Sequence, residues 1–127
     1  MEWDIVINDE PKYIEVITRG IGDKDSSLNM TKAFIDEMKA RKIKKILIDH
    51  RNLEKVVGST LDIYERPQLI SDSIGPEWGI KIALIVKPEH WEHFKFLETV
   101  FVNRGFLASL FQNKEGAISW LISYKLP

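Results

Sequence analysis

The chain opens with two runs in which apolar, β-branched residues roughly alternate with polar ones, WDIVI (3–7) and YIEVITR (13–19). Alternation at period two marks strands with one face on a core and one toward water. Between them NDEP (8–11) supplies turn-forming Asn, Asp and Pro, so the pair is expected to form a hairpin. GIGDKDSS (20–27) reads as a loop whose serines can cap the helix after it. In LNMTKAFIDEMKAR (28–41) the period changes. Leu28, Met30, Phe34, Ile35 and Met38 recur near helical spacing and predict an amphipathic helix.

The rest of the chain repeats this switch between periods. IKKILID (43–49) predicts a strand, and TLDIYERPQLISDSI (60–74) a helix that Pro67 must kink or split. IKIALIVKP (80–88) predicts a strand stopped by Pro88, followed by the helix HWEHFKFLETVFVNRG (90–105), which Arg104 and Gly105 close. FLASLF (106–111) predicts a short strand, and KEGAISWLISY (114–124) a last helix with Asn113 as its cap. The order ββαβαβαβα implies right-handed crossovers and one α/β domain over residues 1–127. Its sheet should be mixed but mostly parallel, and covered by helices.

Composition narrows the function classes. A chain of 127 residues with 44% hydrophobic and 29% charged residues can bury a core without staples. A formal net charge of −1 argues against a nucleic-acid binder. The absence of cysteine excludes disulfides, thiolate catalysis and Cys-based metal sites. MEWDIVINDE has no basic start followed by an apolar run, and apolar runs such as ALIV (83–86) are too short to span a bilayer, so a cytoplasmic location is expected.

KKILIDHRNLE (44–54), GIKIALIVKPE (79–89) and the ending LFQNKEGAISWL (110–121) carry a resemblance. Together with the element order they resemble the STAS fold of bacterial anti-sigma-factor antagonists. They are most similar to the uncharacterised bacterial STAS/SEC14-like branch, related also to Sec14-type (CRAL–TRIO) lipid-binding folds. The likeness implies a binding or regulatory domain. Antagonist STAS domains carry a phosphorylatable serine directly after an aspartate at the start of the helix following this strand. The nearest match here is Ser59, which follows Gly58 instead of an acid.

The residues themselves suggest several candidate sites. Ser59-Thr60-Leu61-Asp62 has the form of a capping box, which explains a serine there without phosphorylation. Asp49, His50 and Arg51 stand where a strand of an α/β sheet is expected to end, the edge at which ligands favour binding. A carboxylate, an imidazole and a guanidinium could hold an anionic or hydroxylated ligand, or Arg51 could simply pair with Asp49. His90 and His93 flank Trp91-Glu92, but two histidines lack the three or four ligands that zinc needs, so no metal and no cofactor is expected. The cationic run KARKIKK (39–45) complements the negative end of the first helix, and would attract anionic headgroups only weakly.

The helix 90–105 is apolar on nearly every side. Phe94, Leu97 and Phe101 form the expected core stripe, leaving Trp91, Phe96, Val100 and Val102 as candidates for an apolar ligand pocket or a homodimer contact. No nucleophile–base–orienter set and no glycine-rich phosphate loop is readable, so enzyme activity is the least expected role. The leading expectation is a binding domain for a protein partner or a small apolar or anionic ligand. The alternatives are a phosphoswitch at Ser59 and a small lipid carrier.

Overall fold

In the computed structural model, which describes residues 1–58, 62–63, 65–75 and 78–123, five strands form one sheet in the order β1-β2-β3-β4-β5. β1 (Glu2–Asp9) and β2 (Lys12–Gly22) are the expected antiparallel hairpin, closed by Glu10 and Pro11. β3 (Lys45–Val56), β4 (Lys81–Ile85) and β5 (Leu107–Phe111) then add in parallel, each beside the one before. Three successive right-handed crossovers that move the same way across a sheet must place their helices on the same face. That face carries α1 (Lys24–Arg41), α2 (Glu65–Ser73) and α3 (Trp91–Asn103), and the main core lies beneath them. α4 (Lys114–Leu121) follows the last strand and covers the other face through Ala117 and Leu121, which pack on Leu47, Ala83 and Ile85. The α/β architecture expected from the hydrophobic pattern is present, and among the described residues no helix is long and apolar enough to cross a membrane.

Of the differences from expectation, three have a clear local reason. Residues 20–27 do not form a loop. β2 runs on to Gly22, and α1 begins at Lys24, capped by Asp23, whose Oδ1 accepts from the Ser26 amide at 2.8 Å. Pro67 does not interrupt α2. It sits in the first turn of α2, where the amide that proline lacks would have had no helical partner. β3 does not end at Asp49 but continues for seven more residues in register with the extended end of β2.

α3 also sorts its own apolar surplus. Phe94, Leu97 and Phe101 are buried as the stripe predicts, and Val100 joins them at 5% exposure, one turn from Phe96 and Leu97. Val100 therefore belongs to the core and offers no surface to a second chain. Trp91 and Phe96 are partly buried against the same core, and Val102 alone of the four candidates is exposed, at 51%.

Candidate functional site

The middle of β3 is where the sheet changes width. Asp49, opposite Ile85, is its last residue paired with β4, and beyond it β3 pairs with β2 alone. The register with β2 also slips here, Ile17 facing Asp49 but Arg19 facing Asn52, so β3 carries an extra residue around His50 and Arg51. Such a bulge re-aims side chains. It is why Leu53, three residues after His50, follows it into the helix-covered core. The pleat then separates the three neighbours expected to act together: Asp49 and Arg51 lie on the side of α4, and His50 lies beneath α3.

On the α4 side the charges satisfy one another. Arg51 Nη2 donates to Asp49 Oδ2 at 2.8 Å and Nε donates to Oδ1 at 3.0 Å, with the Arg51 amide also on Oδ1 at 3.1 Å. Burial alone would raise the Asp49 pKa, but the hydrogen bonds and charge of Arg51 outweigh it and hold the carboxyl below its ordinary value. Beside this pair, Lys114 Nζ reaches Glu15 Oε2 at 2.8 Å, which raises the Lys114 pKa. Each of these groups already has its partner, and the cluster joins α4 to β2 and β3.

The helix side is different. His50 is completely buried, stacked on Phe94, and its Nδ1 lies 2.7 Å from Thr18 Oγ1. That hydroxyl also lies 3.2 Å from the Asp49 carbonyl oxygen and has one proton to give. Given to the carbonyl, it leaves the imidazole protonated at Nδ1 with Nε2 as an acceptor. Given to Nδ1, it leaves Nε2–H as a donor. Nε2 has no hydrogen-bond partner among the described residues, so the choice falls to whatever meets it.

His50 lines a cavity of about 50 Å³ at the far end of β2 and β3, where α1 and α2 begin and α3 passes over. One water needs ~10–15 Å³ on this measure, so the space suits roughly four water-sized atoms. Its walls are mostly apolar, with Leu28, Leu53, Val56, Ile63, Phe94 and Leu97 among them. Into this lining comes Arg66, from the first turn of α2, only 7% exposed. Its Nη1 is buried without a partner, and among the described residues no carboxylate pairs with the guanidinium. Burial alone lowers its pKa to about 10, so it remains charged at neutral pH. The same burial, then the nearby charge of Arg66, pushes the His50 pKa well below its ordinary value, and that of half-buried His93 in the same direction. Among the described buried groups of the lining, Arg66 is thus the one cation at neutral pH, beside neutral imidazole.

Of the residues singled out from sequence, His50 and His93 reach this cavity, while Asp49, Arg51, His90, Trp91, Phe96, Val100 and Val102 lie outside its lining. Ser59 lies outside the described residues. Its neighbour Gly58 has φ of +127°, and a β-carbon there would stand 2.8 Å from Asp62 Oδ2, so the aspartate that precedes the antagonist serine does not suit this backbone. Sequence reasoning passed over Thr18 and Arg66. Signals for both exist: Thr18 continues the inward alternation Ile14, Val16, and Arg66 sits at helical spacing between Ile63 and Ile70. Among the described residues no cluster of His, Cys, Asp or Glu is arranged to hold a metal ion.

The fold has a counterpart of known structure. The chain is similar to an uncharacterised protein of the DUF3478 family with a SpoIIAA-like fold from Shewanella loihica PV-4. The two are 18% identical and superpose with a TM-score of 0.58 over 94% of this chain and 92% of that one. No protein-family model and no curated protein matches the sequence. At this identity the likeness shows the fold, which is the SpoIIAA-like, or STAS-like, α/β arrangement expected from the sequence.

Proposed function

We propose that this STAS-like domain is a non-catalytic receptor that holds a small anionic ligand in the cavity between α1, α2, α3 and the end of β3. One observation carries the reading: the Arg66 guanidinium is buried in a mostly apolar lining, its Nη1 has no hydrogen-bond partner, and no carboxylate among the described residues forms an ion pair with it. A buried unpaired charge costs several kcal/mol, and a fold that keeps one is compensated when an anion arrives. Thr18 and His50 supply a second, adaptable hydrogen-bonding group beside it, fixed by packing on Phe94. The reading is of binding rather than catalysis, because the Thr18 hydroxyl is engaged with His50 and the Asp49 carbonyl and the chain has no cysteine.

The test is a thermal-shift and NMR titration of the intact chain with small organic acids and their neutral analogues at constant ionic strength. Acids should raise the melting temperature and move the resonances of His50, Leu53 and Leu97, and the neutral analogues should not. Equal effects from acid and analogue, or none from any acid, would overturn the proposal.

A further inference from the structure

The cavity's charge, size and lining narrow the ligand further. Arg66 is its single deeply buried cation among the described residues. Lys24, in the same lining, is exposed and already paired with Glu65 at 3.4 Å. Two half-buried acids, Asp23 and Asp62, also face the space. The positive end of α1, which would otherwise attract a phosphate, is taken by the chain's own Asp23 carboxylate, which accepts from both the amide and the hydroxyl of Ser26 at 2.8 and 2.7 Å. A dianion would therefore add two negative charges to a space that Asp23 and Asp62 already face. A monoanion adds one, opposite the single deeply buried cation Arg66.

The geometry of a guanidinium favours a planar, two-oxygen partner, which it meets through two parallel N–H donors. Volume sets the rest. Room for roughly four water-sized atoms, on the ~10–15 Å³ scale of one water, accommodates a carboxylate and a few carbons. The carbons would lie against Leu53, Val56, Ile63 and Leu97, burying apolar surface on both sides.

We infer that the ligand is a short aliphatic monocarboxylate, its carboxylate on Arg66 with His50 as a second donor and its alkyl chain on the leucine, valine and isoleucine wall. This rests on the receptor role proposed above and names the chemical class of the ligand. With a ligand oxygen at Nε2, the Thr18 proton goes to His50 Nδ1, so that Nε2–H donates to the bound carboxylate.

Calorimetric titration of the intact wild-type chain with butanoate, butanamide, butyl phosphate and inorganic phosphate separates the possibilities. Butanoate should bind saturably, with butanamide and butyl phosphate each at least tenfold weaker. Arg66→Met should lose at least tenfold in butanoate affinity while its melting temperature holds or rises, and Arg66→Lys should recover part of the binding. If butyl phosphate or inorganic phosphate binds as tightly as butanoate, the monocarboxylate class is wrong and the anion receptor stands. If butanamide matches butanoate, or no anion binds while the wild-type chain is folded, both are wrong. A Thr18→Val variant gives a further readout, since it removes the hydroxyl that sets the His50 proton. Unchanged ¹⁵N shifts of the His50 ring on adding butanoate to the wild-type chain would overturn the role given to Nε2–H.

Discussion

The His50 imidazole lies almost flat on the Phe94 ring, with centroids 4.7 Å apart and planes 18° from parallel. One ring comes from the middle of β3 and the other from the first turns of α3, so the contact ties the sheet to the helix that roofs the cavity. Phe94 is 2% exposed and leaves a large void if truncated. Phe94→Ala should cost about 3–5 kcal/mol, and Phe94→Leu distinctly less, measured by urea unfolding. A leucine variant that kept wild-type stability but lost ligand-induced shifts at His50 would show that the stack orients the imidazole.

Thr18 is the other support of that ring. Thr18→Val keeps the shape and removes the hydroxyl, leaving the buried Nδ1 without its partner at 2.7 Å. The expected loss is about 1–3 kcal/mol, and Thr18→Ser should restore most of it. Chemical denaturation of the two variants side by side checks this.

Acid should weaken the fold in a defined window. The folded-state pKa of His50 is depressed, by burial first and then by Arg66, so below the unfolded value near 6.5 the unfolded chain binds the proton that the native chain refuses. Stability should hold above about pH 6.5 and fall below it, until the pH passes the folded pKa. The slope approaches about 1.4 kcal/mol per pH unit for one proton. His93 adds in the same direction. Asp23 and Asp49, whose pKa values are also lowered, lose their contribution only as pH falls below the ordinary carboxylate range. Urea melts at pH 7.5 and 5.0 therefore isolate the histidines, and His50→Gln should flatten the difference between them.

Arg66→Met offers a sharper discrimination, because structure and function pull apart there. If the guanidinium exists for a ligand, its removal from an apolar lining should stabilise the empty protein by about 1–4 kcal/mol. A structural arginine would show the opposite sign. Differential scanning calorimetry without ligand decides between them.

The outer edge of the sheet is guarded by Glu98, whose Oε2 accepts from the Leu110 amide of β5 at 2.8 Å while Lys95 holds Oε1 at 2.7 Å. This occupies a donor that an edge strand would otherwise offer to another chain. Glu98→Ala should make the protein associate in a concentration-dependent way, visible by light scattering, whereas Val102→Glu should leave its association state unchanged.

Much of the architecture was legible because short-range pattern and long-range packing agree. The strands ILID and ALIV are buried on both faces between helix layers, and their unbroken apolar runs say so. The stripe Phe94, Leu97, Phe101 was equally readable at helical spacing. The second half of β3 was not, because HRNLEKV carries polar residues on both sides of a segment paired only with β2. Val100 was misplaced because an apolar excess on a helix does not reveal which side its neighbours cover.

The site divides along the same line. His50 stood out by type and position, while Arg66 was passed over, since an arginine is ordinarily solvated and nothing in its type announces burial. By itself the sequence determined the order of elements, the parallel sheet and the inward faces of its strands, since these follow from periodicity and crossover handedness. Only the tertiary structure decided that Asp49 and Arg51 neutralise each other on one side while His50 and Arg66 meet a cavity on the other. A β-strand sends neighbours to opposite faces, and whether a charge is left unanswered depends on which elements close over it.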